Sequence, residues 1–395
     1  MSWLQLDPAL LRIGLFIRVD YGWMEHPFVR NSFLISSPSE ISIIQKHQLT
    51  KLLYDPGRSH ADALAAMAKP ASEVSPKLGE NLSQASEEDE KAIQKEKAFH
   101  IQRASEYRTA LDEAERTYAD MTKRCSILTT MANTGHAEGV QLANQIVTDM
   151  LALLVQPSAA LLIVQGEEFD DQETALAAQT MNVSAIAMLT GKFMGLNWPQ
   201  LQRLSLSVLF HKLGKEILEA VPDMPPEVVD IVYQHRDYLG ESNSPKGLLN
   251  DDTVQLARVV STVAKYNQLT SDRRNRKHIS QTQALSHLYV NLRHRFGSDV
   301  IDSFIATMTV YPPGSFLEMS DGTIGLVVKT NPLERMRPII KFHDPGASKK
   351  ETPVIDLSRE RSLRIRKVLD PKSVPKNIMN ILSSGQTVGY AITVV

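Results

Sequence analysis

The sequence predicts a mainly α chain: a helical bundle with a small α+β module ahead of it and a small antiparallel β extension behind it. Three observations carry this. The first 55 residues set the β-prone runs GLFIRV and FVRNSFLI among the turn-rich HPF and SSPSE. Beyond Asp89, apolar residues recur at three- and four-residue steps, the spacing that lines one face of an α-helix. After Thr309, in TVYPPGSFLEMSDGTIGLVVKTNPLERMRPIIKFHD, short β-prone segments alternate with Gly, Asp-Gly and Asn-Pro turns.

Taken in order, residues 1–55 form the α+β module and residues 56–90 a linker. From Gly57 the linker is rich in Ala, Ser, Pro, Gly and acidic residues and has little that can pack. Residues 91–310 form the helical domain. Its first helix places Phe99, Ala110, Leu111, Ala114, Tyr118 and Met121 on one stripe, and its dense outward charges suit either a solvated face or a dimer contact. Further helices are expected over 138–155, 170–195, 200–218, 225–236, 252–269, 281–294 and 298–308. LALLVQPSAALLIVQ, 151–165, is the most apolar stretch. Gln156, Pro157 and Ser158 break it well short of the roughly 20 residues that span a bilayer, so a buried helix-turn-helix is expected there. Residues 311–395 form the β-rich extension. In the first module, Trp23, His26, Pro27 and Phe28 make a patch that suits either core packing or a docking contact.

A chain of 395 residues is too long for one ordinary core, and its 43% hydrophobic content supports folded domains. Its net charge of −2 gives no long-range pull toward nucleic acid or an anionic membrane. The lone cysteine, Cys125, has no intrachain disulfide partner. MSWLQLDPALLRIGLFIRVD lacks the pattern of a secretory leader. The expectation is a cytoplasmic protein with no nucleic-acid partner and no membrane insertion.

The chemistry concentrates in VLFHKLGKEILEAVPDMPPEVVDIVYQHRDYLGESNSPKGLL, residues 208–249. A histidine followed by an aspartate supplies an imidazole and a carboxylate to one metal cluster. Here Lys212 follows His211, and an ammonium offers no ligand and repels a cation.

VLFHKLGK resembles the LLHDIGK segment of the HD-GYP branch of the HD phosphohydrolases. HRDYLGESNSPKGLL is similar to that family's HHExxDGxGYPxGL, and RVVSTVAKYNQLTSDRRNRK to its RIxxVADxYDALTSDRPYRK. GLFIRVDYGWMEHPFVRNSFLISSPSEISII resembles the small domain that often precedes HD-GYP domains, and YPPGSFLEMSDGTIGLVVKTNPLERMRPII the family's C-terminal extension. The resemblance covers 1–55 and 140–375 and makes the bundle an HD-type one.

For active members it implies a cluster of two or three iron or manganese ions that hydrolyses cyclic di-GMP. Carried over position by position, an early family histidine falls at Gln179, the HD aspartate at Lys212, the second histidine of the adjacent pair at Arg236, and the VAD aspartate at Ala264. His211 and His235 are kept, and the following glutamate becomes Asp237. The resemblance therefore implies no catalytic residue and no cofactor. The alternative is a weakly active phosphodiesterase with iron or manganese on His211, His235 and Asp237. Both histidines also suit a capping or packed polar role.

Four basic residues, Lys212, Lys215, Arg273 and Arg276, are candidates for a metal-free phosphate pocket, with pairing of Asp272 and Arg273 as the plainer alternative. Gly240, Glu241, Asn243, Ser244, Pro245 and Lys246 form the altered GYP-like loop, a candidate interaction site. The expected partner is another signalling protein or a second copy of the chain in a homodimer, and cyclic di-GMP is the candidate small ligand.

Overall fold

The computed structural model describes residues 3–67, 87–154, 160–165, 172–240, 251–271, 279–331, 333–344, 352–383 and 388–393. The chain divides into two compact units. One holds residues 1–106, 318–325 and 340–367, the other 107–317, 326–339 and 368–395.

In the first unit a four-stranded antiparallel sheet has the order β1-β4-β2-β3. Its strands are β1 (Leu4–Leu6), β2 (Phe16–Val19), β3 (Ser32–Leu34) and β4 (Leu52–Tyr54). Helix α1 (Pro38–Lys46) begins where Ser37 caps the Glu40 amide and Glu40 reaches back to the Ser37 amide, with proline at a position needing no donor. Ile41, Ile43 and Ile44 then pack with Leu15, Ile17, Ile35 and Leu52 in the module's core. Trp23, His26, Pro27 and Phe28 are all buried, so the patch is core. The Trp23 indole donates to Val29 O at 2.8 Å, and the Phe28 and Phe33 rings lie 4.6 Å apart. Within the segment expected as a linker, α2 spans Ala61–Met67; residues 68–86 lie outside the described ones.

Helix α3 runs from Glu87 to Asn133. Its inward face in the first unit includes Lys97 and His100, which an apolar pattern does not reveal. The Lys97 ammonium donates to the carbonyls of Trp23 and His26, and burial pushes its pKa down to about 8.

The second unit is the helical bundle. Its helices are α4 (Gly139–Leu153), α5 (Gln172–Phe193), α6 (Trp198–Phe210), α7 (Lys215–Ala220), α8 (Pro226–Leu239), α9 (Asp251–Ser271), α10 (Gln281–His287), α11 (Arg293–Phe296) and α12 (Ser298–Met308). One turn of π-helix, Leu288–Leu292, interrupts the helix expected over 281–294. The helix expected over 200–218 is likewise two, broken at His211–Gly214. Val228, Ile231 and Val232 of α8 pack with Leu256, Val260 and Val263 of α9 in one core that also takes in Tyr266 and Phe304. Gly191 lets α5 and α6 close up: a Cβ there would stand 2.9 Å from Leu201 Cδ2.

The expectation for the apolar stretch is overturned as well. The apolar stretch 151–165 is not a helix-turn-helix: α4 ends at Leu153, and β5 (Ala160–Gln165) pairs antiparallel with β11 (Val388–Thr393). A six-residue apolar run satisfies helix and strand equally by pattern, and pairing with a distant partner decides. The C-terminal antiparallel sheet has the order β10-β6-β7-β8-β9. Its strands are β6 (Phe316–Met319), β7 (Ile324–Lys329), β8 (Ile339–Phe342), β9 (Val354–Asp356) and β10 (Ile365–Leu369), and helix α13 (Lys376–Leu382) follows. No helix among the described residues is long and apolar enough to cross a membrane.

Candidate functional site

Four elements of the bundle build the site. Asn197 caps α6 and exchanges side-chain bonds with Gln200, so the apolar helix Trp198–Phe210 delivers His211 at its C-terminal end. The chain then turns through Lys212 and Leu213. Helix α8 carries His235 and Arg236, α5 carries Gln179, and α9 carries Ala264.

His211 and His235 meet edge to face, with ring centroids 5.9 Å apart, and both are buried. The Nδ1 of His211 donates to Val208 O at 2.6 Å, and that of His235 donates to Val232 O. A carbonyl can only accept, so each Nδ1 carries the proton and each Nε2 keeps its lone pair. Burial pushes the pKa of His211 down to about 3, helped by His235 and Lys212, and that of His235 down to about 4. Both rings are neutral at physiological pH.

Lys212 stands beside them and donates from Nζ to Gln179 Oε1 at 2.8 Å. The structure thus joins directly two of the positions at which the sequence departs from the metal-binding pattern. Burial brings the half-buried Lys212 ammonium down to about 8, and the Cys125 thiol opposes that shift. Burial holds Cys125 itself up at about 12. No carboxylate among the described residues pairs with Lys212, whose bond goes to the Gln179 amide. Arg236 donates to Leu213 O at 2.7 Å, tying α8 to the turn after His211. Ala264 offers only a methyl group.

Asp237 lies two positions beyond His235, a step that carries a helical side chain to another face. Its Oδ1 is buried without a hydrogen-bond partner, and its carbonyl accepts from Arg295. Among the described residues no three His, Cys, Asp or Glu side chains form a group able to hold a metal ion. Gly240 ends α8 in the left-handed region at φ +81°, where its amide bonds back to Asp237 O. Glu241, Asn243, Ser244, Pro245 and Lys246, like Asp272, Arg273 and Arg276, lie outside the described residues. Lys215 opens α7, and its side chain is likewise not described.

Sequence reasoning named Gln179, Lys212 and Arg236 singly. It missed that Gln179 and Lys212 bond to each other, that Leu213 O receives Arg236, and that Cys125 lies close enough to Lys212 to act on its charge. The only sequence signal was the coincidence of an amide and an ammonium at two family ligand positions.

Residues 4–142 match a family model described as a domain of unknown function, DUF3391. Residues 316–377 match the KOW domain associated with HD domain. The chain is 22% identical over 392 residues to the cyclic di-GMP phosphodiesterase PA4108 of Pseudomonas aeruginosa, an alignment covering 88% of this chain and 87% of the relative. No solved structure matches.

Proposed function

We propose, from the HD-GYP-type architecture of this chain, with a DUF3391 domain at its N-terminal end and an HD-associated KOW domain near its C-terminal end, that it is a signalling protein that has given up hydrolysis and acts through protein contacts. The observation that carries this reading is the bond from Lys212 to Gln179. A two-metal hydrolytic site needs anionic carboxylates to bridge and neutralise its ions. This chain presents an ammonium held by a neutral amide where the family pattern has an aspartate and a histidine. The residues present do not fit an iron or manganese cluster, because the cationic groups beside His211 and His235, the Lys212 ammonium and the Arg236 guanidinium, both repel a metal cation.

The test is protein purified after growth with iron and manganese, analysed for metal and assayed with cyclic di-GMP and its linear product. The expected result is less than one metal per chain and no turnover. Stoichiometric metal with turnover abolished by His211→Ala establishes the weakly active phosphodiesterase instead. Affinity purification from the native cell then identifies the partner, whether a second signalling protein or another copy of the chain.

A second reading is favoured by the same ammonium. Lys212 is charged at neutral pH, has no carboxylate partner among the described residues and stands where the family pattern has a metal-binding aspartate, so its ammonium suits a metal-independent sensor of cyclic di-GMP or another phosphorylated ligand. Calorimetry with cyclic di-GMP separates the two readings. Binding that survives a chelator, weakens with salt and disappears in Lys212→Glu makes the protein a sensor. Absence of heat leaves it an interaction module.

A further inference from the structure

The first unit holds a pocket of about 840 Å³ whose lining includes none of His211, Lys212, His235 or Arg236. That volume lies in the range of sites for small organic ligands, about 300–1,000 Å³. Its apolar wall comes from Phe16, Phe28, Phe33, Leu34 and, on the first turns of α3, Ile93. Its charged wall comes from Arg30, Arg58, Glu40, Glu96, Asp321 and Glu360. Every one of these residues belongs to the same compact unit.

The charged wall is built rather than incidental. The Arg30 side chain is only 10% exposed and that of Asp321 only 6%, and they pair at 3.2 Å. Arg30 also donates to Ser362 at 2.9 Å and has Glu360 at 3.7 Å. Arg58 lies over the Phe16 ring at 4.9 Å and pairs with Asp55 at 3.1 Å. Glu40 is fixed by its capping bonds to Ser36 and Ser37, and Glu96 by Arg359 at 2.8 Å. These partners remove most of the rotamer freedom that a ligand would otherwise have to freeze.

The balance of charge selects the ligand. Two guanidinium groups face four carboxylates, and counting the partners Asp55 and Arg359 leaves the same excess of two negative charges. A phosphorylated or carboxylated ligand is repelled, whereas a cation gains, and the low-dielectric phenylalanine wall strengthens both effects. We propose that this pocket binds a small organic cation with a compact apolar or aromatic body, an arylalkylamine in chemical class. The ring rests on the phenylalanine wall and the ammonium faces the Glu40 and Glu360 side. Such a ligand touches the N-terminal module, the start of α3 and the 320–321 and 360–363 turns at once, so its binding ties these four segments together.

The experiment compares two probes of nearly equal size and opposite charge, 2-phenylethylamine and 3-phenylpropanoate, by saturation-transfer NMR on the full chain. Saturable binding of the amine is expected, at least about tenfold tighter than that of the carboxylate, as two excess charges at partly solvated range allow. Leu34→Trp, which fills the pocket, abolishes amine binding. The double variant Glu40→Gln/Glu360→Gln narrows the preference between the probes, and its fold is protected because glutamine serves at the third position of a capping box as glutamate does. Absence of saturable binding, equal affinity for the two probes, or amine binding that survives Leu34→Trp in a protein with unchanged circular dichroism each overturns the assignment.

Discussion

Lys212→Met isolates the energetics of the altered site. Methionine keeps most of the aliphatic stem and removes the ammonium. In the folded chain burial brings the Lys212 pKa from 10.5 to about 8. At pH 7 the group is charged in both folded and unfolded chains, and the folded state bears the cost of that charge. Each pKa unit corresponds to about 1.4 kcal/mol, so the ceiling is about 3 kcal/mol, and partial exposure reduces it to roughly 2. Against this, Gln179 Oε1 loses its donor, at about 1 kcal/mol. The net expectation is that Lys212→Met stabilises the helical unit by about 1 kcal/mol at pH 7. The sign follows from proton counting: between pH 8 and 10.5 the unfolded chain holds the extra proton, so wild-type stability rises relative to the variant as pH increases. The advantage of the variant therefore fades, crosses zero at about pH 9 and gives way to a small deficit by about pH 10. Urea unfolding followed by far-ultraviolet circular dichroism at pH 7, 8.5 and 10 measures this. Destabilisation at pH 7, or a difference that does not change with pH, refutes the claim that the ammonium is a buried charge tolerated at a cost.

The two histidines predict acid sensitivity of the same unit. His211 and His235 stay neutral down to about pH 4 when folded but take up protons below 6.5 when unfolded, so the stability they allow is complete above pH 6.5 and is lost as pH falls toward 4. His235→Gln should flatten part of that slope in urea midpoints taken at pH 7, 6 and 5; an unchanged slope shows that His235 does not carry it. Gly191→Leu should destabilise by about 1–3 kcal/mol or more, because its first carbon already overlaps three leucine methyls, and thermal unfolding reads this directly. Gly240→Ala should cost about 1 kcal/mol, since φ is +81° and a Cβ would stand 2.9 Å from Arg295 Nη2; an unchanged unfolding midpoint contradicts it.

What the sequence made legible follows the range of the forces involved. The helices at 139–153, 172–193 and 226–239 rest on local periodicity and caps, and their expected ends lie within a few residues of those found. The bundle and its flanking sheets were likewise readable. The π turn at 288–292 and the break at His211–Gly214 carry no period of their own and were missed. Strand 160–165 was misread because its partner is remote. Buried Lys97 and His100 escaped because a polar residue on an inward face looks, in sequence, like one facing water. At the altered site the family resemblance marks the positions, while the fold alone brings them into contact: nothing in a string of letters shows that residues 179 and 212 touch. The pocket of the first unit was invisible for the same reason, its walls coming from segments more than three hundred residues apart.

The pairing of 160–165 with 388–393 also sets an order of events during synthesis. Leu161, Leu162, Ile163 and Val164 emerge from the ribosome long before their partner strand, which lies more than two hundred residues later. Until Val388–Thr393 is made, that apolar edge has unpaired backbone donors and acceptors and is open to pairing with other chains. The helices around it complete their local bonds far sooner. The nascent bundle therefore passes through a long interval with one adhesive strand uncovered, because more than two hundred residues must be translated before the strand that closes it.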